Sequence, residues 1–358
     1  MRPQAFARSS WGGILLLVLC IALSSCQTNT GRSIQFTKIP PAAEGGRERV
    51  DIIAGRVIGA HRGQKIVIYA RSGTWWVQPW PDRPFIPIRA DSTWSTETHL
   101  GFEYAALLVE PEYQPPPTMD IAPRQGGSVV LVTIVKGTGK PTFAATKPLQ
   151  FSGYDWSVRT IASDRGGTNN LYSGENTWTD ARGALHMRTT KNSGRWSCAQ
   201  VVLNRGLGYG TYILVMRDAS HLEPAAVFSM YTFDQWAGDQ HYREMDVEIS
   251  RWGDPTNKKN AQYGLEPFYV PGNVFPFAIP SGTITHSMHW ESARVSFKTI
   301  RGASIDTTGP LISAHEFASG VPSPGQEKLH LDLYVIASDK YPLRKDSEVI
   351  VEKFEYFP

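Results

Sequence analysis

The chain has 358 residues, of which 41% are hydrophobic and 19% charged, and a formal net charge of +3. Arg2 and Arg8 lie in an N-terminal segment without acids, and setting that segment aside leaves 34 basic against 33 acidic residues, a net +1. So even a balance gives no footing for a nucleic-acid or acidic-polymer partner, and the length predicts two domains.

Residues 1–25 read as an export signal. Their apolar run, "GGILLLVLCIAL", is short for a membrane span and lies close to the N-terminus. The run ends in Leu23-Ser24-Ser25-Cys26, small residues leading into a cysteine. That ending resembles a bacterial lipoprotein signal, which implies that Cys26 becomes the lipidated first residue. The alternative is an ordinary secretory signal with an incidental cysteine. Several acyl chains on one residue anchor a protein stably to a membrane. Gln27, not Asp, follows the cysteine, so the resemblance implies the outer membrane, with the periplasmic face and the cell surface both open. Of the three cysteines only Cys198 remains beyond the anchor, which rules out an intrachain disulfide in the exported protein. Cys198, in "RWSCAQVVL", is expected to be buried and inert.

Residues 26–49 are polar with Pro and Gly and predict a tether. From 50 to 137 the pattern changes to short β-like runs: "VDIIAGRVIGA", "QKIVIYARS", "TWWVQPW", "EYAALLVEP" and "GSVVLVTIVKG". Their alternation and β-branched residues predict a small β-sandwich accessory domain. Trp75, Trp76, Trp80, Phe85 and Trp94 crowd into it; they are candidates for a polysaccharide-binding platform, the core or the interface with the second domain, with structural roles expected for most. A linker is expected over 138–147. Residues 148–358 are again strand-rich, with "RWSCAQVVLNR", "GYGTYILVMRD", "AAVFSMYTF", "REMDVEISRWG", "LHLDLYVIAS" and "SEVIVEKFEYF" among the predicted strands. No long segment carries a helical period, so the expected fold class is all-β.

One predicted strand carries unusual chemistry. In "HYREMDVEISRWGD" (241–254), Glu244, Asp246 and Glu248 alternate with Met245, Val247 and Ile249. Strand side chains alternate faces, so the three acids share one face and the apolar residues turn to a core. Spacing alone is weak support, since acids at i, i+2 and i+4 occur by chance in roughly half of proteins this long. The flanking Trp236, Tyr242 and Trp252 strengthen it. Cleaving a glycosidic bond needs two carboxyl groups flanking the bond, one ionised and one protonated. An acid between them opposes ionisation of its neighbours and raises their pKa.

"REMDVEI" resembles the Glu-x-Asp-x-Glu strand of glycoside hydrolase family 16, the laminarinase and lichenase family. "NNLYSGENTWTDARGALHM" (169–187), "CAQVVLNRGLGYGTYILVMR" (198–217), "AQYGLEP" (261–267) and "MHWESARVSF" (288–297) resemble other strands of that family, over essentially all of 148–358. The resemblance implies a β-jelly-roll sandwich of the concanavalin A-like lectin and glucanase type. It also implies endo-acting, retaining hydrolysis of a β-linked glucan or galactan, with Glu244 as nucleophile, Glu248 as general acid/base and Asp246 assisting between them. Gly264 stands where many members carry an Asn that contacts sugar.

Trp236 and Trp252 are candidates to stack on sugar, or else are core aromatics. Gln262 and Glu266 share a face of the next strand and are candidate hydrogen-bonding partners for sugar hydroxyls. His286 and His289 lack further ligands at metal spacing, so no metal or cofactor is expected; a structural calcium is not legible from the residues. Two other classes stay open: a carbohydrate-binding lipoprotein without turnover, and a structural envelope protein.

Overall fold

The computed structural model describes residues 31–46, 49–143, 145–161, 170–336 and 342–358. The stretch read as an export signal, and Cys26, lie outside the described residues. The fold is all-β: a jelly-roll sandwich preceded by a smaller β-sandwich.

The larger sandwich begins where Ala145–Phe151 pairs antiparallel with Tyr154–Thr160. From there one sheet runs through Arg195–Leu203, Lys328–Val335, Ala226–Phe233, Met245–Ile249, Ala261–Leu265 and Val274–Phe277, every neighbour antiparallel. The second sheet runs Leu185–Asn192, Ser347–Phe357, Gly210–Met216, Ile284–Glu291, Arg294–Arg301 and Leu311–Phe317. The inner faces of both fill one continuous core that includes Trp156, Phe228, Met245, Val247, Ile249, Tyr263, Met288, Trp290 and Phe354. Met245, Val247 and Ile249 are buried, and each such side chain stabilises the fold by about 2 kcal/mol. A one-residue slip of this strand would turn its acids into that core, so the register is strongly specified. Met245 faces Leu265, Asp246 faces Gly264 and Glu248 faces Gln262. Cys198 is buried in this core as expected. His286 is also buried, and hydrogen-bonds Thr299 Oγ1 through Nδ1 at 2.8 Å. His289, three positions on, points to the other face and pairs with Thr211.

The smaller sandwich stacks a three-stranded sheet (Ser33–Lys38, Val50–Ile58, Thr93–His99) on a six-stranded one built around Lys65–Ser72 and Glu103–Val109. Ile34, Ile53, Val57, Ile66, Ile68, Trp94, Tyr104 and Leu108 fill the space between them. Two expectations need correction. The stretch read as a tether holds the strands Ser33–Lys38 and Pro41–Ala43. Ile34 supplies a core side chain there, although Pro and Gly around it give a loop-like composition. The stretch read as a linker holds Thr138–Thr142, which pairs parallel with Pro41–Ala43. Thr138 N donates to Pro40 O at 2.9 Å and Glu44 N to Thr142 O at 2.7 Å. Its Gly and Pro mark turns in a local reading, but the pairing partner lies about a hundred residues earlier.

Arg32–Pro358 forms one compact unit. A buried ion pair joins the two sandwiches, Arg159 Nη2 to Glu44 Oε1 at 2.8 Å. Arg71 adds a second junction: it pairs with Glu103 at 2.7 Å, donates to the Gln235 carbonyl at 2.6 Å and lies 4.8 Å from the Trp236 ring centroid.

Candidate active site

Glu244 and Glu248 line a cleft of ≈ 320 Å³ together with Tyr231, His330, Asp332 and Tyr334. The acids therefore share one face of their strand and open onto a hollow. Asp246 lies between them and is buried; its Oδ1 has no hydrogen-bond partner among the described residues. Directly across the pair, Gly264 makes room for it. A Cβ at 264 would sit 2.5 Å from Asp246 Oδ2 and 2.6 Å from Oδ1. The glycine is thus a packing requirement of the middle acid.

The neighbouring strand also sets the outer acids. Gln262 Nε2 donates to Glu248 Oε2 at 2.9 Å, and Tyr334 also hydrogen-bonds Glu248. Glu266 lies next to Glu244, whose carbonyl accepts from Glu266 N at 3.1 Å. Its own Oε2 accepts from Phe268 N at 3.0 Å. Gln262 thus bonds the carboxyl of Glu248, while Glu266 meets Glu244 through its backbone. Trp236 is 45% exposed and packs against Phe102 and Arg71. It lines a second hollow of ≈ 390 Å³, which shares Arg159, Gln200, Phe233 and His330 with the cleft. Trp252 lies in the turn after Ile249, 37% exposed, and lines neither hollow.

Spacing did not reveal several polar groups on the same face. Gln200 Nε2 bridges Asp332 Oδ2 at 2.8 Å and the Tyr231 hydroxyl at 3.1 Å, and Tyr172 donates to the same Asp332 oxygen at 3.2 Å. In sequence these residues lie far apart, and the alternation in "LHLDLYV" is the one local signal.

The turn entering the acidic strand is strained. His241, Tyr242 and Arg243 all have positive φ, at 48°, 58° and 55°. None is a glycine, and such residues each cost on the order of 1–3 kcal/mol. Fixed partners hold the turn. Tyr242 O accepts from Asp234 N at 2.7 Å, Thr232 Oγ1 donates to Arg243 O at 2.7 Å, and Arg243 pairs with buried Asp234 at 3.2 Å. The Tyr242 hydroxyl reaches into the smaller sandwich, donating to Asp120 O at 3.0 Å. Glu244 follows immediately, so its backbone is set by contacts from both sandwiches.

Every acid of the cluster is harder to ionise than usual. Burial pushes Glu244 well up, and the Glu266 and Glu248 charges add to it. Burial, then Glu248, Glu244 and Glu266, push Asp246 well up. Burial raises Glu248 to about 7, against the pull of its hydrogen bonds from Gln262 and Tyr334. Both glutamates line the cleft and are half-buried, and burial is the largest cause of both shifts. Protons leave such a cluster as a unit, not residue by residue.

Two expected results follow. Glu266→Gln removes a charge that opposes ionisation of Glu244, so the acid limb of a pH–rate profile is expected to move to lower pH. An unmoved limb would mean that Glu266 is screened from the cluster. A carboxyl raised in the fold adds no penalty below its unfolded pKa of 4.5 and destabilises increasingly as pH climbs to about 7. Glu248→Gln is therefore expected to stabilise the protein at pH 8 by on the order of 1–3 kcal/mol, with little effect at pH 4. Thermal unfolding of both proteins at the two pH values measures this.

No family model matches the chain, and no curated protein matches it in sequence. Solved structures align with part of the chain. A Bacillus licheniformis β-glucanase aligns with TM-score 0.48 and 15% identity, over 60% of this chain and 99% of that one. A prokaryotic β-1,3-1,4-glucanase (lichenase) from a mouse hindgut metagenome gives 0.46 and 15%, over 60% and 99%. The laminarinase catalytic domain from Thermotoga maritima gives 0.40 and 12%, over 53% and 83%.

Proposed function

We propose that this protein is a retaining glycoside hydrolase, endo-acting on a β-linked polysaccharide of the glucan or galactan class. The observation that carries this reading is the cleft itself. Two glutamates open onto it from one strand face, with a buried, pKa-raised aspartate between them.

Glu244, ionised, attacks the anomeric carbon and forms a glycosyl ester as the glycosidic C–O bond breaks. Glu248, protonated, delivers its proton to the departing oxygen. Glu248, now a carboxylate, takes a proton from water; the water oxygen attacks the anomeric carbon and releases Glu244. Asp246 stays neutral, so neither step sets three negative charges side by side. Gln262 and Tyr334 hold Glu248 towards the cleft in both of its charge states. The reactive state, with Glu244 ionised and Glu248 protonated, competes with its mirror image, which is why the charge at Glu266 matters.

Export and anchoring through Cys26 at the outer membrane are part of the proposal and rest on the sequence. Reducing-end release from β-glucans, agars and carrageenans tests the activity. Binding without release would favour a carbohydrate-binding lipoprotein, and absence of both would favour a structural envelope role.

A further inference from the structure

The smaller sandwich reaches into the cleft. Lys65–Ser72 and Thr74–Gln78 form a hairpin, and Ser72, Gly73, Thr74 and Trp76 line the same space as Glu244 and Glu248. Trp75 is buried with Val67, Tyr69, Val77 and Leu107 in a second apolar cluster, on the face of the six-stranded sheet turned away from the three-stranded one. Trp76, the next residue of the strand, turns to the opposite face and is half-buried at the cleft. The hairpin's small polar groups are already engaged. Ser72 Oγ accepts from Gly45 N at 2.8 Å, and Thr74 Oγ1 donates to Met119 O at 2.5 Å. The indole is therefore the large surface this wall offers to a ligand.

The wall is also fixed in place. Arg71, at the base of the hairpin, bonds the Gln235 carbonyl and packs on Trp236, while Asp120 accepts from Tyr242. Both contacts land on the segment that leads into Glu244. A loosely tethered accessory module would have no reason to meet that segment twice, once from the hairpin and once from Asp120.

A flat indole beside a pair of carboxyl groups suits a pyranose ring, which carries an apolar C–H face and a polar rim. We propose that Trp76 is a substrate-binding residue that stacks against one sugar ring of a β-linked glycan. The N-terminal sandwich is then one wall of the active site. This rests on the hydrolase reading of the cleft, and its test separates the two.

The full chain, Trp76→Ala and Trp76→Phe are compared on hexasaccharides of laminarin, lichenan and agarose and on the corresponding disaccharides. Binding of the same hexasaccharides is measured on Glu244→Gln with and without Trp76→Ala. The expected result is a KM about ten-fold higher for hexasaccharide in Trp76→Ala, with kcat nearly unchanged and recovery in Trp76→Phe. Hexasaccharide cleavage with the same KM in all three proteins overturns the role of Trp76 and leaves the hydrolase reading standing. Hexasaccharide binding that needs Trp76 in a chain that cleaves nothing keeps the platform and removes the hydrolase. Absence of both binding and cleavage overturns both.

Discussion

Glu244→Gln and Glu248→Gln are each expected to lose hydrolysis of natural polysaccharide by roughly 10⁴-fold or more, the loss seen when one member of a catalytic unit is removed. The amide keeps the shape of the side chain and removes its charge chemistry, so the two losses should differ in kind. Without Glu244 there is no nucleophile, and a better leaving group does not help. Without Glu248 the first step lacks an acid, which matters least when the leaving group needs no proton. An activated aryl β-glycoside should therefore show a rapid first turnover in Glu248→Gln, followed by slow release of the glycosyl ester. No such burst is expected from Glu244→Gln. A burst in the wrong variant would exchange the two roles, an outcome the shared elevation of both pKa values makes worth measuring.

The second large effect lies at a residue with no chemistry of its own. A Cβ at position 264 would sit 2.5 Å from Asp246 Oδ2, well inside contact distance. Gly264→Ala must push the Asp246 carboxyl aside, and Asp246 is enclosed by Glu244, Glu248 and the strands on either side. Misplacement by about 1 Å costs roughly 10²-fold in rate, and kcat is where this loss is expected. Substrate binding by the outer wall should survive, so KM should change little. If Gly264 instead marked a lost sugar contact, Gly264→Asn would improve KM and leave kcat intact.

The acidic strand was legible because its two properties share one period. The alternation that turns Met245, Val247 and Ile249 inward also turns the acids outward, and nothing distant is needed to see it. The sequence offered Gln262 as a sugar contact; its bond to Glu248 follows from inter-strand register, which no local window contains. Less was visible where pairing partners are far apart. Thr93–His99, "TWSTETH", and Leu311–Phe317, "LISAHEF", alternate too weakly to read as strands alone; neighbours supplied by the rest of the chain fix them. The Arg159–Glu44 pair spans 115 positions, and no window contains both. Trp76 belongs to a run that reads as core, correctly for Trp75 and Trp94. Its place at the cleft follows from how one sandwich docks on the other. The left-handed run His241–Tyr242–Arg243 has no glycine to announce it.

The central claim is that Glu244 forms a covalent bond to sugar. A 2-deoxy-2-fluoro β-glycoside of the hydrolysed sugar, with a reactive leaving group, slows the second step and lets the ester accumulate. Peptide mass spectrometry is expected to find the glycosyl adduct on the Glu244 side chain, and none in Glu244→Gln. An adduct on another residue, or active protein that yields no adduct and a product of inverted anomeric configuration, would contradict the account.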